Sequence, residues 1–287
     1  MELKTKRLSH QFGVEVFDID LSQPQTQETI DAIWRLWNEQ GLLLMRHQKI
    51  SPEQHIEFSR RFGELDKHEA LAPWRHPEYQ EIFVVSTIPV NGKPSPSENV
   101  GQHWHSDLSY TTQPPMGSLF HCHEVPEVGG DTLFASAVAA YNGLSNAMKK
   151  MIDDLWVVHD FMALPSMKGR DPAVVADLAR RNPPVAQPLV LTHPVTGHKA
   201  LYISEFMNTH IVGMTSTESR PLLRMLFEHA IGPLYTYRHK WTPGEFLMWD
   251  NRSLMHTALT DFDRGARRHF YRTTILSEPR GRLMASI

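Results

Sequence analysis

The feature that most restricts this chain is a trio of side chains able to bind a metal but set far apart. His103-Trp-His-Ser-Asp107 carries two of them, His105 and Asp107, and Asn251-Arg-Ser-Leu-Met-His256 carries the third, His256. Their separation, 256 − 105 = 151 residues, is beyond any local turn, so only a closed fold can gather them. In an extended segment residues i and i+2 project from one face, which groups His105 with Asp107 and turns Ser106 away. Two neutral imidazoles and one carboxylate, with coordination positions left open, is the ligand set of non-haem Fe(II) oxygenases. His105, Asp107 and His256 are therefore the candidate metal-binding and catalytic residues. A structural zinc site would close a tetrahedron with four ligands, usually including Cys, and Cys122 is the only cysteine. With 17 His in the chain, chance pairs also arise. His121-Cys-His123 is such a pair; no motif supplies it with a third ligand, so it reads as structural.

Composition bounds the class without naming it. Hydrophobic residues at 41% and charged residues at 21% are ordinary for a globular protein, and 287 residues are ample for a buried core. One domain over residues 1–287 is the expectation. A net charge of −3 gives no footprint for nucleic acid or an anionic membrane. No apolar run approaches the ~20 residues that span a bilayer. Met1–Arg7 lacks an apolar stretch of the secretory type, and a single cysteine suits a reducing compartment. The expected location is the cytoplasm.

Periodicity and turn signals predict many short strands with a few helices. Phe12–Leu21 reads as a strand. Thr26–Gln40 reads as a helix with Ile30, Ile33, Trp34 and Trp37 at helical spacing and Gly41 just past its end. Ser51-Pro-Glu-Gln54 reads as a capping box opening a second helix. Strands are expected at Leu42–Arg46, Ile82–Thr87, Gly117–Val125, Asp131–Ala135, Gln187–Thr192, Lys199–Ile203, Thr236–Trp241, Glu245–Trp249, His256–Thr260 and His269–Leu276. Helices are expected near Ala137–Leu144, Asn146–Leu155 and Thr215–His229. Pro89–Val100 reads as a lid-like loop, and Met162–Pro184 as a lid-like insertion with its own helix at Pro172–Arg181. The pattern predicts a mainly β fold, a sandwich or jelly roll with flanking helices.

Six motifs in order resemble the taurine and phenoxyacetate dioxygenase group of Fe(II)/2-oxoglutarate-dependent oxygenases, and the likeness runs nearly end to end. They are Phe17-Asp-Ile-Asp-Leu21, Phe58-Ser-Arg-Arg-Phe-Gly-Glu-Leu65, Trp104-His-Ser-Asp107, Gly129-Gly-Asp-Thr-Leu-Phe134, Trp249-Asp-Asn-Arg252 with His256, and Arg267-Arg268 with Arg272. The resemblance implies a double-stranded β-helix (jelly-roll) core, Fe(II) on His105, Asp107 and His256, and 2-oxoglutarate and O2 as cosubstrates. It assigns the far carboxylate of 2-oxoglutarate to Arg268, a hydrogen bond to Thr132 and a pocket wall to Trp249. It assigns an acidic group of the primary substrate to Arg272, with His68 and Tyr110 at substrate-pocket positions. The implied partner is a small organic acid: a sulfonate, an aryloxyalkanoate or a similar carboxylate, hydroxylated with or without cleavage of a C–heteroatom bond. Dimers and tetramers are common in the group, so a homo-oligomer is compatible with it. Asp107 argues against a halogenase, which lacks that carboxylate.

The Arg spacing has a reading of its own. If the strand pattern begins at residue 268, Arg268, Phe270 and Arg272 share a face, and two inward Arg are costly without anionic partners. Pairing with core carboxylates, or a solvent-facing position, is the competing explanation. Charge also balances: Fe(II) with Asp107 is singly positive, 2-oxoglutarate brings two negative charges, and Arg268 restores neutrality. Two alternatives stay open: the same scaffold acting on an amino-acid-like acid, and a non-oxidative metal-binding jelly-roll protein. One departure stands out. Taurine-type members carry Asn four residues before the first His ligand, and this chain has Gly101 there.

Overall fold

The structure is a computed structural model that describes every residue except Pro96, Glu98, Asn99, Arg264 and 285–287, and leaves the side chains of 69–71 undescribed. In chain order the elements are β1 (Thr5–Arg7), β2 (Val14–Val16), α1 (Gln27–Gln40), β3 (Leu42–Met45), α2 (Pro52–Arg60), β4 (Phe83–Ser86), β5 (Gly117–Glu124), β6 (Thr132–Ser136), α3 (Ala137–Gly143), α4 (Asn146–Ile152), β7 (Trp156–His159), α5 (Pro172–Arg181), β8 (Val185–Pro188), β9 (Val190–Thr192), β10 (Lys199–Leu201), β11 (Asn208–Ile211), α6 (Ser216–Ala230), β12 (Thr236–His239), β13 (Phe246–Asp250), β14 (Leu254–Ala258), β15 (His269–Ile275) and β16 (Arg282–Leu283). The described fold is mainly β with flanking helices.

Sequence signals set the helix ends. Thr26 caps α1 by accepting from Thr29 N–H, and Gly41 closes it at φ 71°, where a side chain would be strained. Ser51 and Gln54 form the expected capping box on α2. α5 occupies the expected residues, with Asp171 capping it. Two expectations are corrected. Phe12–Leu21 shrinks to β2, because the chain turns at Asp18, whose φ is 61°. Gln187–Thr192 splits into β8 and β9 at Leu189, whose N–H bonds to Leu155 O instead. Strands β7 and β11 were not expected; they pair with each other across 50 residues of chain, and such long-range pairing leaves no local mark.

The largest sheet has the order β1-β2-β3-β13-β5-β15-β4, and a three-stranded sheet runs β12-β6-β14. Strand parity builds two cores from one sheet. Leu43, Met45, Leu119, Phe246 and Met248 pack with Ile33 and Trp37 of α1 and with Ile56 and Phe58 of α2. The alternate residues Leu42, Leu44, Phe120, Leu247 and Trp249 pack with Phe134 of β6 and Leu254 of β14, joining the two sheets in one apolar cluster. These runs are buried on both faces, so they read as continuous apolar strings.

Candidate metal and 2-oxoglutarate site

A single cross-strand pair assembles the centre. His105 lies in no regular strand; it makes an isolated antiparallel bridge to His256 of β14, and Asp107 already sits in the following turn. The two residues exchange both backbone bonds, His105 N to His256 O at 3.0 Å and His256 N to His105 O at 2.8 Å. Directly opposed residues present their side chains on one face, and the two imidazole centroids stand 4.3 Å apart. One ligand atom from each of His105, Asp107 and His256 falls within 4.8 Å of the others, and all three residues are buried. No other group of three His, Cys, Asp or Glu side chains among the described residues meets that condition. The expected co-projection of residues 105 and 107 holds, although the segment is a bridge and turn rather than a strand. Ser106 turns away and donates to Leu254 O at 2.9 Å.

The protonation states suit a cation. His105 Nδ1 lies 2.7 Å from His103 O. A carbonyl can only accept, so Nδ1 carries a proton and Nε2 is the ring nitrogen turned toward Asp107, 3.7 Å from its Oδ1. His256 Nδ1 is buried without a hydrogen-bond partner. Burial, with His105 beside it, lowers the His256 pKa to about 3, so the ring is neutral. Burial alone would raise the Asp107 pKa, but Arg272 and the two His hold it well below the usual carboxylate range. Two imidazoles, that of His256 neutral, and an ionised carboxylate make a donor set suited to a divalent metal.

The remaining expected residues divide into two groups beside this centre. Arg268 is 6% exposed. Its Nε donates to Gly130 O at 3.0 Å and its guanidinium lies 4.3 Å over the Phe270 ring. No carboxylate pairs with it among the described residues, and burial lowers its pKa to about 10. Thr132, two residues from Gly130, accepts from Trp241 Nε1 at 2.9 Å, which leaves its own hydroxyl proton free to donate. Trp249 is 1% exposed, packs its ring against His256 and commits its N–H to Asn251 Oδ1 at 3.0 Å.

Arg272 donates from one terminal nitrogen to Asp107 Oδ1 at 2.7 Å, while its Nε is buried without a partner. Its guanidinium rests 4.4 Å over Phe83. His68, held in the left-handed region at φ 51°, packs on the same Phe83 ring and lies 3.2 Å from Asp66 Oδ2. Tyr110 stacks on Phe161 at 4.7 Å; burial raises its pKa, and Arg272, Asp107 and Asp66 are close enough to act on it. Tyr110 and Phe161 border a cluster of Leu164, Met167, Met207 and Leu178, most of it supplied by the 162–184 insertion. Arg272 and His68 thus share the Phe83 ring, with Arg272 bonded to Asp107, while Arg268 reaches the Gly130 carbonyl two residues from Thr132. Both Arg face inward, as their shared parity predicts; the competing explanation holds only for Arg272, which does pair with a carboxylate. At Gly101 φ is 78°, a conformation most side chains avoid.

Sequence reasoning missed several supporting residues. Ser118 donates to Asp107 Oδ2 at 2.6 Å. Asp250, Arg252 and His193 form a buried network 2.7–2.9 Å apart, extended by Asn38. Nothing in the sequence marks Ser118. Asn251 and Asp250 had one signal, their place in the turn just ahead of His256.

Comparison with known proteins agrees with this geometry. Residues 4–274 match the model of the taurine catabolism dioxygenase TauD, TfdA family. The alpha-ketoglutarate-dependent 2,4-dichlorophenoxyacetate dioxygenase of Cupriavidus pinatubonensis is 34% identical over 278 residues, covering 93% of this chain and 95% of that protein. The alpha-ketoglutarate-dependent sulfonate dioxygenase of Saccharomyces cerevisiae is 29% identical, covering 96% and 68%. The crystal structure of AAD-2 in complex with Mn(II) and N-oxalylglycine aligns with a TM-score of 0.84 at 30% identity, covering 96% of this chain and 100% of that one. With its metal-ligand trio assembled and the family match covering almost its whole length, the chain belongs to the TauD/TfdA family of alpha-ketoglutarate-dependent dioxygenases.

Proposed function

We propose that this dioxygenase oxidises a small organic acid with an apolar body, a sulfonate or an aryloxyalkanoate being the foremost classes. The observation that carries the proposal is the pair of buried Arg flanking the ligand trio. Arg268 has no carboxylate of its own among the described residues, and Arg272 has a buried Nε to spare. A buried guanidinium without an anion is unfavourable, and its planar fork matches a carboxylate or sulfonate. Arg268, with the Thr132 hydroxyl, would hold the far carboxylate of 2-oxoglutarate. Arg272, with His68 and Tyr110, would hold the acid head of the substrate. Phe161, Met207 and the 162–184 insertion would cover its apolar body. The relatives named above act, by their names, on a phenoxyacetate and on sulfonates.

His105, Asp107 and His256 would hold Fe(II), which supplies the oxidising power once 2-oxoglutarate and O2 are bound. The chain's own part is positioning, charge balance and exclusion of water. Arg272 keeps Asp107 ionised, and the neutral His256 imidazole helps keep the net charge of the buried site low.

We further read the two facing sheets as a jelly-roll core, residues 1–287 as one domain, and 162–184 as a lid; the expected lid at 89–100 lies partly outside the described residues. The facing apolar cluster and the packing of 162–184 against Tyr110 support this. A homo-oligomer in the cytoplasm, with no nucleic-acid or membrane partner, is the remaining expectation. No described helix is long and apolar enough to cross a membrane.

The test is succinate release under Fe(II), 2-oxoglutarate and O2 with a panel of sulfonates, aryloxyalkanoates, alkyl sulfates and N-acyl or free amino acids. Strong stimulation by an acid bearing an apolar body is expected. Stimulation confined to free amino acids would favour the biosynthetic alternative, and no succinate with any member would favour a non-oxidative metal protein.

A further inference from the structure

We propose that Asn251 and Ser118 are positioning residues that orient the Asp107 carboxylate and select which of its oxygens faces the metal. This rests on the metal-site reading above. The argument follows hydrogen atoms. Asn251 Oδ1 lies 3.0 Å from Trp249 Nε1 and 3.3 Å from Asp107 N. Both of those atoms can only donate, so the amide orientation is fixed with the oxygen toward them. Asn251 Nδ2 therefore points at Ser118 Oγ, 3.1 Å away, and donates to it. The Ser118 hydroxyl has one proton, and its other neighbour is Asp107 Oδ2 at 2.6 Å. With Asn251 Nδ2 donating to Ser118 Oγ, the one hydroxyl proton is left to point at Asp107 Oδ2.

The consequence is a carboxylate with two unlike oxygens. Oδ2 is occupied by the strong hydrogen bond from Ser118. Oδ1 receives Arg272 and stands 3.7 Å from His105 Nε2, so it is the oxygen turned toward another ligand atom while Ser118 holds Oδ2. Asn251 and Ser118 are themselves 0% exposed, as expected of groups that hold a ligand rather than meet solvent. Asn251 also lies five residues before His256, so one turn between β13 and β14 supports the ligand from residue 107 and launches the ligand at 256. Partners of this kind commonly change metal affinity about 10–100-fold when removed.

The experiment is an anaerobic Mn(II) titration of the full chain, followed by electron paramagnetic resonance, on the parent, Ser118→Ala, Asn251→Asp and His256→Ala, each first shown folded by circular dichroism. Ser118→Ala removes the donor. Asn251→Asp keeps the shape but turns Nδ2 into an acceptor that draws the Ser118 proton away from Asp107. Both are expected to raise the Mn(II) Kd about 10–100-fold and to alter the bound-Mn(II) line shape. Parent-like Kd, within twofold, and an unchanged spectrum for both variants would overturn the proposal. If instead His256→Ala binds as tightly as the parent, the metal-site reading itself fails, and this proposal with it.

Discussion

Replacing Arg268 by Met should stabilise the ligand-free protein while abolishing its response to 2-oxoglutarate. The guanidinium is 6% exposed, has no carboxylate partner among the described residues, and burial lowers its pKa from 12.5 to about 10. That difference corresponds to roughly 3 kcal/mol of disfavoured charge, at 1.36 kcal/mol per unit. Met fills similar space without the charge. Against the gain stand one hydrogen bond to Gly130 O and the stacking on Phe270, about 1 kcal/mol or somewhat more together. A net stabilisation of about 1–2 kcal/mol remains, or roughly 2–6 °C in melting temperature for a chain of this size. Ligand should then invert the order. In the parent, Mn(II) with 2-oxoglutarate at a hundred times its Kd adds about 2.7 kcal/mol by mass action. Losing one side of a buried ion pair costs about 2–5 kcal/mol of that binding, so the variant's thermal shift should nearly vanish. Differential scanning fluorimetry under nitrogen, with and without both ligands, reads all four states. A variant less stable than the parent without ligand, or one that keeps the full 2-oxoglutarate shift, would refute the reasoning. The prediction is an instance of a site kept strained for function.

Other outcomes follow from the same contacts. Arg272→Ala should raise KM for the acidic substrate at least ~30-fold, equivalent to about 2 kcal/mol, and leave the KM for 2-oxoglutarate within a few-fold; steady-state kinetics with each varied in turn distinguishes the two Arg. Asp250→Asn strands the buried Arg252 guanidinium and should cost about 3–5 kcal/mol in denaturant unfolding; a loss under ~1 kcal/mol would mean the network is dispensable. Stability should fall with acid below neutrality. Burial lowers the pKa of both His55 and His159 to about 3, against 6.5 unfolded. Their contribution is complete above pH 6.5 and is lost as pH drops toward 3, because the unfolded chain takes up protons that the folded one refuses. Near pH 5 two such groups give a slope of about 3 kcal/mol per pH unit, and a urea midpoint that stays constant from pH 7 to 5 would contradict it.

What the sequence determined by itself was local or chemical. Gly41, Ser51 and Gln54 mark helix ends because caps act over three or four residues. The candidate metal ligands were legible because few residue types can hold a divalent ion, and the inward faces of Arg268 and Arg272 because strand parity has a fixed period. Tertiary structure alone decided how these parts meet. It set the bridge between His105 and His256, the partner that Arg272 chose while Arg268 went without, and the β7–β11 pairing. It also decided that a serine with no distinguishing neighbours in sequence would hold Asp107. Contacts such as these, from the 165 positions between Asp107 and Arg272 down to the 11 between Asp107 and Ser118, depend on the closure of the whole sheet, and no pattern along the chain encodes the distances that closure produces.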